Sequence, residues 1–437
     1  MGQADSDRIE QALRLIGSDE AAIEHDLARL IAVDTSFPPG DGYGALADLA
    51  EALAAPLGFS CRRVTVPERL WSTPAGGARG ERVNLIAERG SGLPSCSLYF
   101  HVDTVPAGEG WTRPPFALTR EQGRLYGRGA ADMKGTIAAT FAALRALDRA
   151  GAPLRFEPRL LFCTDEEGGL YPGIRYLAEQ GLIDGHLLSF NGGAAPRIWA
   201  GCFGSIDLLI RIRGRGAHSG DPVGGINAVE EAIPLLNALM GLKGRVEQRI
   251  SAMPAPPHYE GRPLHARLTI AALHGGQKGS SLPAAFEILV NRRYAPEEDF
   301  AEVLAELEAT VREAMGPSLA LGVETHMIGH LAPVADPTGP HWPRWEAALA
   351  RGFGFAPADF RAWGSSTSSD MGFVQQAGIR EILLGGLGRP DNNIHAPDEF
   401  TTMEDVVALA RAVLLYLSRD FEGSPRDDIA EQGRVAW

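Results

Sequence analysis

The sequence predicts an α/β protein: a main domain built on a mostly parallel sheet flanked by helices, interrupted by a smaller α+β domain. Three observations lead there. At 437 residues the chain is too long for one comfortable hydrophobic core. Up to about residue 204, short apolar runs ending in polar residues alternate with stretches of helical period, the pattern of a sheet covered by helices. From about 205 to 330 the strands change to an apolar–polar alternation, and past Pro333 the first pattern resumes. The expected division is 1–204 and 331–437 for the main domain and 205–330 for the insertion.

The opening stretch reads as helical because Ile9, Leu13 and Ile16, then Ile23, Leu27, Leu30 and Ile31, recur at intervals of three and four. Another helix over 44–55 follows the turn-rich Ser36-Phe37-Pro38-Pro39-Gly40. Apolar runs at 83–87, 97–100 and 159–163 predict strands, and 136–150 and 174–179 predict helices. In the insertion a strand over 206–213 precedes a helix over 228–240. Strands at 264–273 and 286–293, a helix over 296–314 and a strand at 323–328 complete it. This β-α-β-β-α-β order is the ferredoxin-like one, in a unit of about 125 residues.

The composition, 45% hydrophobic and 22% charged, is ordinary for a folded chain, and its 52 glycines and 30 prolines are scattered as turn punctuation. A net charge of -14 with no basic stripe argues against a nucleic acid or an anionic membrane as partner. No run approaches the ~18 apolar residues that span a bilayer. The acidic, amphipathic amino terminus lacks the apolar core of a signal peptide. Cys61, Cys96, Cys163 and Cys202 show no paired spacing, which points to reduced thiols rather than disulfides or a thiolate zinc site. A cytoplasmic protein is expected.

Four clusters of histidines and acids fall where predicted strands end, the place at which open α/β sheets carry their sites. In the extended His101-Val102-Asp103, side chains two apart point the same way. Asp103 is therefore expected to accept the free ring N–H of His101 and fix which nitrogen faces a metal. Asp132 stands in Gly127-Arg128-Gly129-Ala130-Ala131-Asp132-Met133-Lys134-Gly135, whose glycines permit a tight turn. Asp165-Glu166-Glu167 ends an apolar strand, and three consecutive acids repel one another unless a cation or solvent relieves them. Glu166 and Glu167 point apart, so one can bind a metal while the other meets a water. His395 lies in Asn393-Ile394-His395-Ala396-Pro397-Asp398-Glu399. Each cluster alone has an ordinary reading, as a loop histidine, a capping aspartate or a solvated acidic loop. Together they supply imidazole and carboxylate without thiolate, a donor set for divalent zinc, manganese or cobalt.

The order and flanking residues of these clusters, H-x-D-T-V-P, G-x-x-D-M-K-G, D-E-E-G and H-A-P-D-E, resemble a family over about residues 20–420. It is the dinuclear zinc hydrolases that include acetylornithine deacetylase, succinyl-diaminopimelate desuccinylase, aminoacylase and the glutamate-releasing carboxypeptidases. The resemblance implies that Asp132 bridges two metals, that Glu167 and His395 complete one site, and that His101 belongs to the other. It makes Glu166 the general base, which takes a proton from water and passes it to the leaving nitrogen. It implies a homodimer or higher homo-oligomer through the insertion, acting as lid and dimerisation domain. There His218, in Gly214-Arg215-Gly216-Ala217-His218-Ser219-Gly220, reaches a neighbouring active site and steadies an oxyanion. Arg293 matches the arginine that grips the carboxylate of a small-molecule substrate.

Three positions depart from the family pattern. Asn191 stands where an acid completes the His101 site, and an amide is a much poorer ligand, so the second metal is expected to be weak or absent. Ser280, in Gly275-Gly276-Gln277-Lys278-Gly279-Ser280-Ser281-Leu282-Pro283, replaces an asparagine and is a candidate substrate contact. Asn291 replaces an aspartate two residues before Arg293. Near Asn191, the rings of Phe190, Trp199 and Phe203 either line an aromatic pocket or pack in the core. The leading expectation is hydrolysis of an amide C–N bond beside a carboxylate, with one or two divalent metals per chain. The alternative is release of ammonia from an activated aromatic acid, as in the family's 5-nitroanthranilate-type aminohydrolases. A third reading is an inactive relative that binds a small carboxylate; the presence of Glu166 beside Glu167 argues against it.

Overall fold

The computed structural model describes residues 2–72 and 77–421; the end of the expected second catalytic segment, 422–437, lies outside the described residues. Helices α1 (Gln3–Ser18) and α2 (Glu20–Ala32) bury Ile9 and Ile16, then Ile23, Leu27, Leu30 and Ile31, as their period requires. Next come α3 (Tyr43–Ala54), β1 (Ser60–Thr65), α4 (Glu68–Trp71), β2 (Val83–Glu88), β3 (Ser95–His101) and the hairpin β4 (Thr119–Glu121) and β5 (Arg124–Tyr126). Helix α5 (Lys134–Ala150), β6 (Glu157–Cys163), α6 (Gly173–Glu179), β7 (His186–Gly193) and β8 (Arg197–Cys202) follow. The next run is β9 (Gly204–Arg213), α7 (Ala228–Val246), β10 (Arg267–Gly275), β11 (Ala285–Tyr294), α8 (Phe300–Met315) and β12 (Gly322–Leu331). The chain then forms β13 (Val334–Ala335), α9 (Trp342–Phe353), β14 (Arg361–Ser365), α10 (Met371–Gln376), β15 (Ile382–Gly388), β16 (Phe400–Thr402) and α11 (Met403–Ser418).

The six-stranded sheet has the order β1-β2-β6-β3-β7-β15. Its β6, β3, β7 and β15 run parallel, and β1 and β2 close one edge antiparallel. Residues 96–101 of β3 and 160–163 of β6 are buried without alternation, which is why they read as continuous apolar runs. Helix α5 is buried almost all round, packed among α1, α2 and α11, and ends at Gly151 in the left-handed conformation that a helix C-terminus favours. Among the described residues no helix is long and apolar enough to cross a membrane.

The second sheet, β10-β11-β9-β12, is antiparallel throughout and ferredoxin-like in order. Alternate residues Ile206, Leu208, Ile210 and Ile212 of β9 join Leu235 and Leu239 of α7 and Val303 and Leu307 of α8 in a separate core. Several boundaries differ from the sequence expectation, among them the end of α7 at Val246 rather than 240. The last helix of this unit begins at Phe300 rather than 296, because the Asp299 carboxylate caps it by accepting the Glu302 amide. The strand expected at 264–273 runs from Arg267 to Gly275. Phe190, Trp199 and Phe203 are all buried, and Phe190 stacks on Phe100 with ring centroids 5.2 Å apart. Phe190 and Trp199 pack in the main core and Phe203 in a smaller cluster with Leu264 and Ala295.

Candidate active site

The carboxyl ends of adjacent parallel strands build the site. Strand β3 ends on His101, which lies in register with Cys163 at the end of β6. Glu166 and Glu167 follow that end within four residues, and Asn191 lies near the end of β7. Asp132 comes from the turn before α5 and His395 from the turn after β15. Ligand atoms of His101, Asp132 and Glu167 all lie within 4.8 Å of one another. His395 Nε2 is 3.0 Å from Glu167 Oε2 and 3.5 Å from Asp132 Oδ2, and His101 Nε2 is 3.0 Å from Asp132 Oδ1. Each oxygen of Asp132 thus faces a different imidazole.

The orientation of His101 corrects one expectation. Its Nδ1 lies 3.0 Å from the backbone carbonyl oxygen of Asp103, an acceptor only, so Nδ1 carries the proton and Nε2 faces the cluster. The Asp103 carboxylate, the expected partner, is 3.8 Å from Nδ1. His101 is the last residue of β3, so the alternation that would align the two side chains stops there. Asp103 Oδ2 instead accepts the backbone N–H of Glu167 at 2.8 Å and ties the two loops together.

Glu399 performs a similar task on the other side. Its buried carboxylate accepts the backbone N–H groups of Gly129 (3.0 Å), Ala131 (3.0 Å) and Asp132 (3.1 Å) and the guanidinium of Arg128 (2.8 Å). The loop that carries His395 is thereby fastened to the turn that carries Asp132. His395 itself has φ 64, a left-handed conformation that a side-chain-bearing residue keeps only where its surroundings hold it.

Asp103, Asp132, Glu166, Glu167 and Asp370 crowd into this pocket. Burial drives the Glu166 carboxyl well above its usual range; the His101 charge pulls it back, and Asp370, Glu167 and Asp132 push it further up. Burial raises Glu167 as well, and Asp132 adds to this against the pull of His395. Burial also opposes ionisation of Asp132, yet its hydrogen bonds to His101 and His395 hold it well below the usual carboxylate range. Hydrogen bonds to Asp132 and Glu167 push His395 up to about 10. So many buried acids around two imidazoles call for a cation. Two imidazoles and two carboxylates suit a divalent one, and the nearby Cys163 thiol, raised by burial, is a poor competitor.

Asn191 is tied to the proposed base rather than to the three clustered ligands. Its Nδ2 donates to Glu166 Oε1 at 2.7 Å, and only the nitrogen end of the amide can face a carboxylate. Arg293 of β11 reaches the loop after β14, where its Nη1 donates to Ser368 Oγ at 2.7 Å, and its Nε donates to Asn291 Oδ1 at 3.1 Å. His218 and Ser280 lie on adjoining exposed loops of the four-stranded unit, joined by a bond from the Ser219 N–H to the Ser280 carbonyl at 3.1 Å. Among the described residues, the hydrogen bonds of both stay within that unit and none reaches the cluster.

Sequence reasoning missed Asp370. It is fully buried, accepts the Tyr99 hydroxyl on Oδ2, and among the described residues has no hydrogen-bond partner for Oδ1. Burial lifts it to about 7 against the pull of Tyr99 and His101. The signal available was the hydroxyl-rich run Ser365-Ser366-Thr367-Ser368-Ser369 that leads from a strand to this acid.

Comparison with known proteins gives the family. The model of peptidase family M20/M25/M40 matches residues 97–419. Succinyl-diaminopimelate desuccinylase of Acidiphilium cryptum is 31% identical over 407 residues, 90% of this chain and 98% of that protein. Two solved structures share the fold. Human carnosine dipeptidase 1 has a TM-score of 0.74 at 16% identity, with 93% of this chain and 98% of that one covered. The dipeptidase Dug1p of Saccharomyces cerevisiae has a TM-score of 0.76 at 18% identity, with 94% and 99% covered. Matched over most of its length by the family and over nearly all of it by a curated relative, the chain belongs to peptidase family M20/M25/M40 and is a hydrolase of C–N bonds.

Proposed function

We propose that the chain cleaves the amide bond of a small N-acyl amino acid or peptide bearing a carboxylate, with one tightly held divalent metal. The observation that carries this is the convergence of His101, Asp132 and Glu167 within 4.8 Å, with Glu166 buried beside them. His395 is the fourth candidate ligand. A divalent cation held there supplies Lewis acidity, polarising a carbonyl and lowering the pKa of water. Glu166, oriented by the Asn191 amide, accepts the proton of the attacking water and delivers it to the leaving nitrogen. Its raised proton affinity suits that shuttle. Arg293 takes the substrate carboxylate in place of its contact with Ser368.

Residues 205–330 act in this reading as lid and dimerisation domain, and the partner subunit's His218 would steady the oxyanion. Of the eight exposed large hydrophobic side chains among the described residues, all but Leu93 lie between Val223 and Leu321, which supports an interface on that unit. The aminohydrolase reading keeps one supporting observation, the neutral Asn191 against Glu166, and loses the aromatic pocket to the core.

The test is product analysis of the zinc-loaded protein on succinyl-diaminopimelate, N-acetyl amino acids, dipeptides and aminobenzoates, with primary amine and ammonia quantified separately. New amine without ammonia is expected. Ammonia without new amine would move the chain to the aminohydrolases.

A further inference from the structure

We propose that Asp165, gripped by Arg82 and Tyr43, is the positioning residue that aims Glu166 and Glu167 in their separate directions. This rests on the reading of Glu166 as base and Glu167 as metal ligand. Asp165 immediately precedes the pair and has φ 63, in the left-handed region, so the chain reverses there as β6 gives way to the loop. Its carboxylate is held at both oxygens. The Tyr43 hydroxyl donates to Oδ1 at 2.7 Å and Arg82 Nε donates to Oδ2 at 2.8 Å. All three side chains are almost completely buried.

The guanidinium is itself fixed. It lies 4.1 Å over the Trp71 ring, with the Tyr43 and Phe37 rings at 5.4 and 5.5 Å, and its Nη2 donates to the Pro39 carbonyl at 3.1 Å. The far end of the turn is equally constrained. The Gly169 N–H bonds the Asp165 carbonyl at 3.2 Å, and a Cβ at Gly169 would lie 2.4 Å from Asp165 Cβ. The Glu167 N–H is held by the Asp103 carboxylate, and the carboxylate of Asp165 sets where the turn begins.

A buried ion pair adds little stability over an apolar pair of the same shape, and its best-attested use is to fix one geometry among alternatives. Here it fixes the residue before the catalytic pair, in a left-handed conformation that is uncommon for a side-chain-bearing residue. Phe37, Tyr43, Trp71 and Arg82 all precede the family match at 97–419, so the clamp is the contribution of the amino-terminal segment to the site. Among the described residues neither Arg82 nor Tyr43 contacts His101, Asp132, Glu167 or His395 through a hydrogen bond or ion pair, and both act through Asp165.

The experiment compares Tyr43→Phe, Arg82→Met, Arg82→Lys and Glu166→Gln in the full chain. It reads zinc affinity by chelator competition, kcat on the best substrate of the panel above, and the unfolding midpoint of the metal-free protein. Tyr43→Phe and Arg82→Met are expected to lose about tenfold to a hundredfold in zinc affinity or kcat, the usual cost of removing a group behind a metal ligand. Tyr43→Phe should do so with an unchanged unfolding midpoint, and Arg82→Lys should recover part of the Arg82→Met loss. Zinc affinity and kcat that both stay within about twofold in Tyr43→Phe overturn the proposal, as does a loss matched by a fall in its unfolding midpoint. Tyr43→Phe decides the matter if the Arg82 variants fail to fold. Full turnover in Glu166→Gln would sink the reading of the base itself, whereas an inactive Glu166→Gln beside a wild-type Tyr43→Phe would sink the positioning role alone.

Discussion

At Asn191 the amide puts a hydrogen-bond donor against Glu166 in a pocket otherwise rich in acids. An aspartate there would repel Glu166 and add the charge a second cation needs. Asn191→Asp should therefore raise bound zinc from about one to two ions per chain by metal analysis of the dialysed protein; a stoichiometry that stays at one would separate this residue from metal count. Arg293 carries a different expectation. If it binds the substrate carboxylate, Arg293→Met loses a charge-assisted contact of about 1.5–3 kcal/mol, roughly tenfold to a hundredfold in KM, with kcat little changed. A fall in kcat at constant KM would place Arg293 elsewhere in the reaction. The residues whose clustering the sequence made legible are those whose type is diagnostic in itself: His101, Asp132, Glu167 and His395. Asp370 was not legible because its role comes from Tyr99, 271 positions away in the chain, and Asp103 was misread because the strand ends one residue too early for alternation to hold.

At the scale of elements, buried acids tie the loops of the site to one another. Glu399 joins the turn before α5 to the loop after β15, and Arg128 is its buried counter-ion. Glu399→Ala leaves Arg128 charged and unpaired, which should destabilise the metal-free protein by about 3–5 kcal/mol in urea unfolding; a loss under about 1 kcal/mol would mean the loops hold without it. The parallel strands β3 and β6 were readable because burial on both faces leaves uninterrupted apolar runs. Strand β1, Ser60–Thr65, was not, because it is a largely exposed edge carrying Arg62 and Arg63, and its place comes from pairing with β2. The short strands β4, β5 and β16 have the same cause: three residues each, specified by their neighbours rather than by a period.

For the molecule as a whole, two cores meet where His330 of β12 lies buried, its Nε2 2.9 Å from the Tyr294 hydroxyl and its ring edge-on to Phe373 of α10. Burial lowers its pKa from 6.5 to about 4, with the Arg175 charge adding to the effect. Between those values the unfolded chain holds a proton that the folded one does not, so stability is present above pH 6.5 and is lost as the pH falls towards 4. The slope is at most about 1.4 kcal/mol per pH unit for this histidine. His186, lowered to about 3 by burial and by His341 and Arg344, acts in the same direction. The stability difference between wild type and His330→Gln should shrink from pH 7 to pH 5; a difference independent of pH would mean His330 does not titrate on unfolding. The central claim concerns the chemistry of the cluster at the strand ends. It is tested most directly by measuring bound zinc and turnover together in Glu166→Gln: zinc as in the wild type, with turnover reduced about a hundredfold or more, is the expected result. Turnover close to wild type in a zinc-loaded Glu166→Gln would contradict the account.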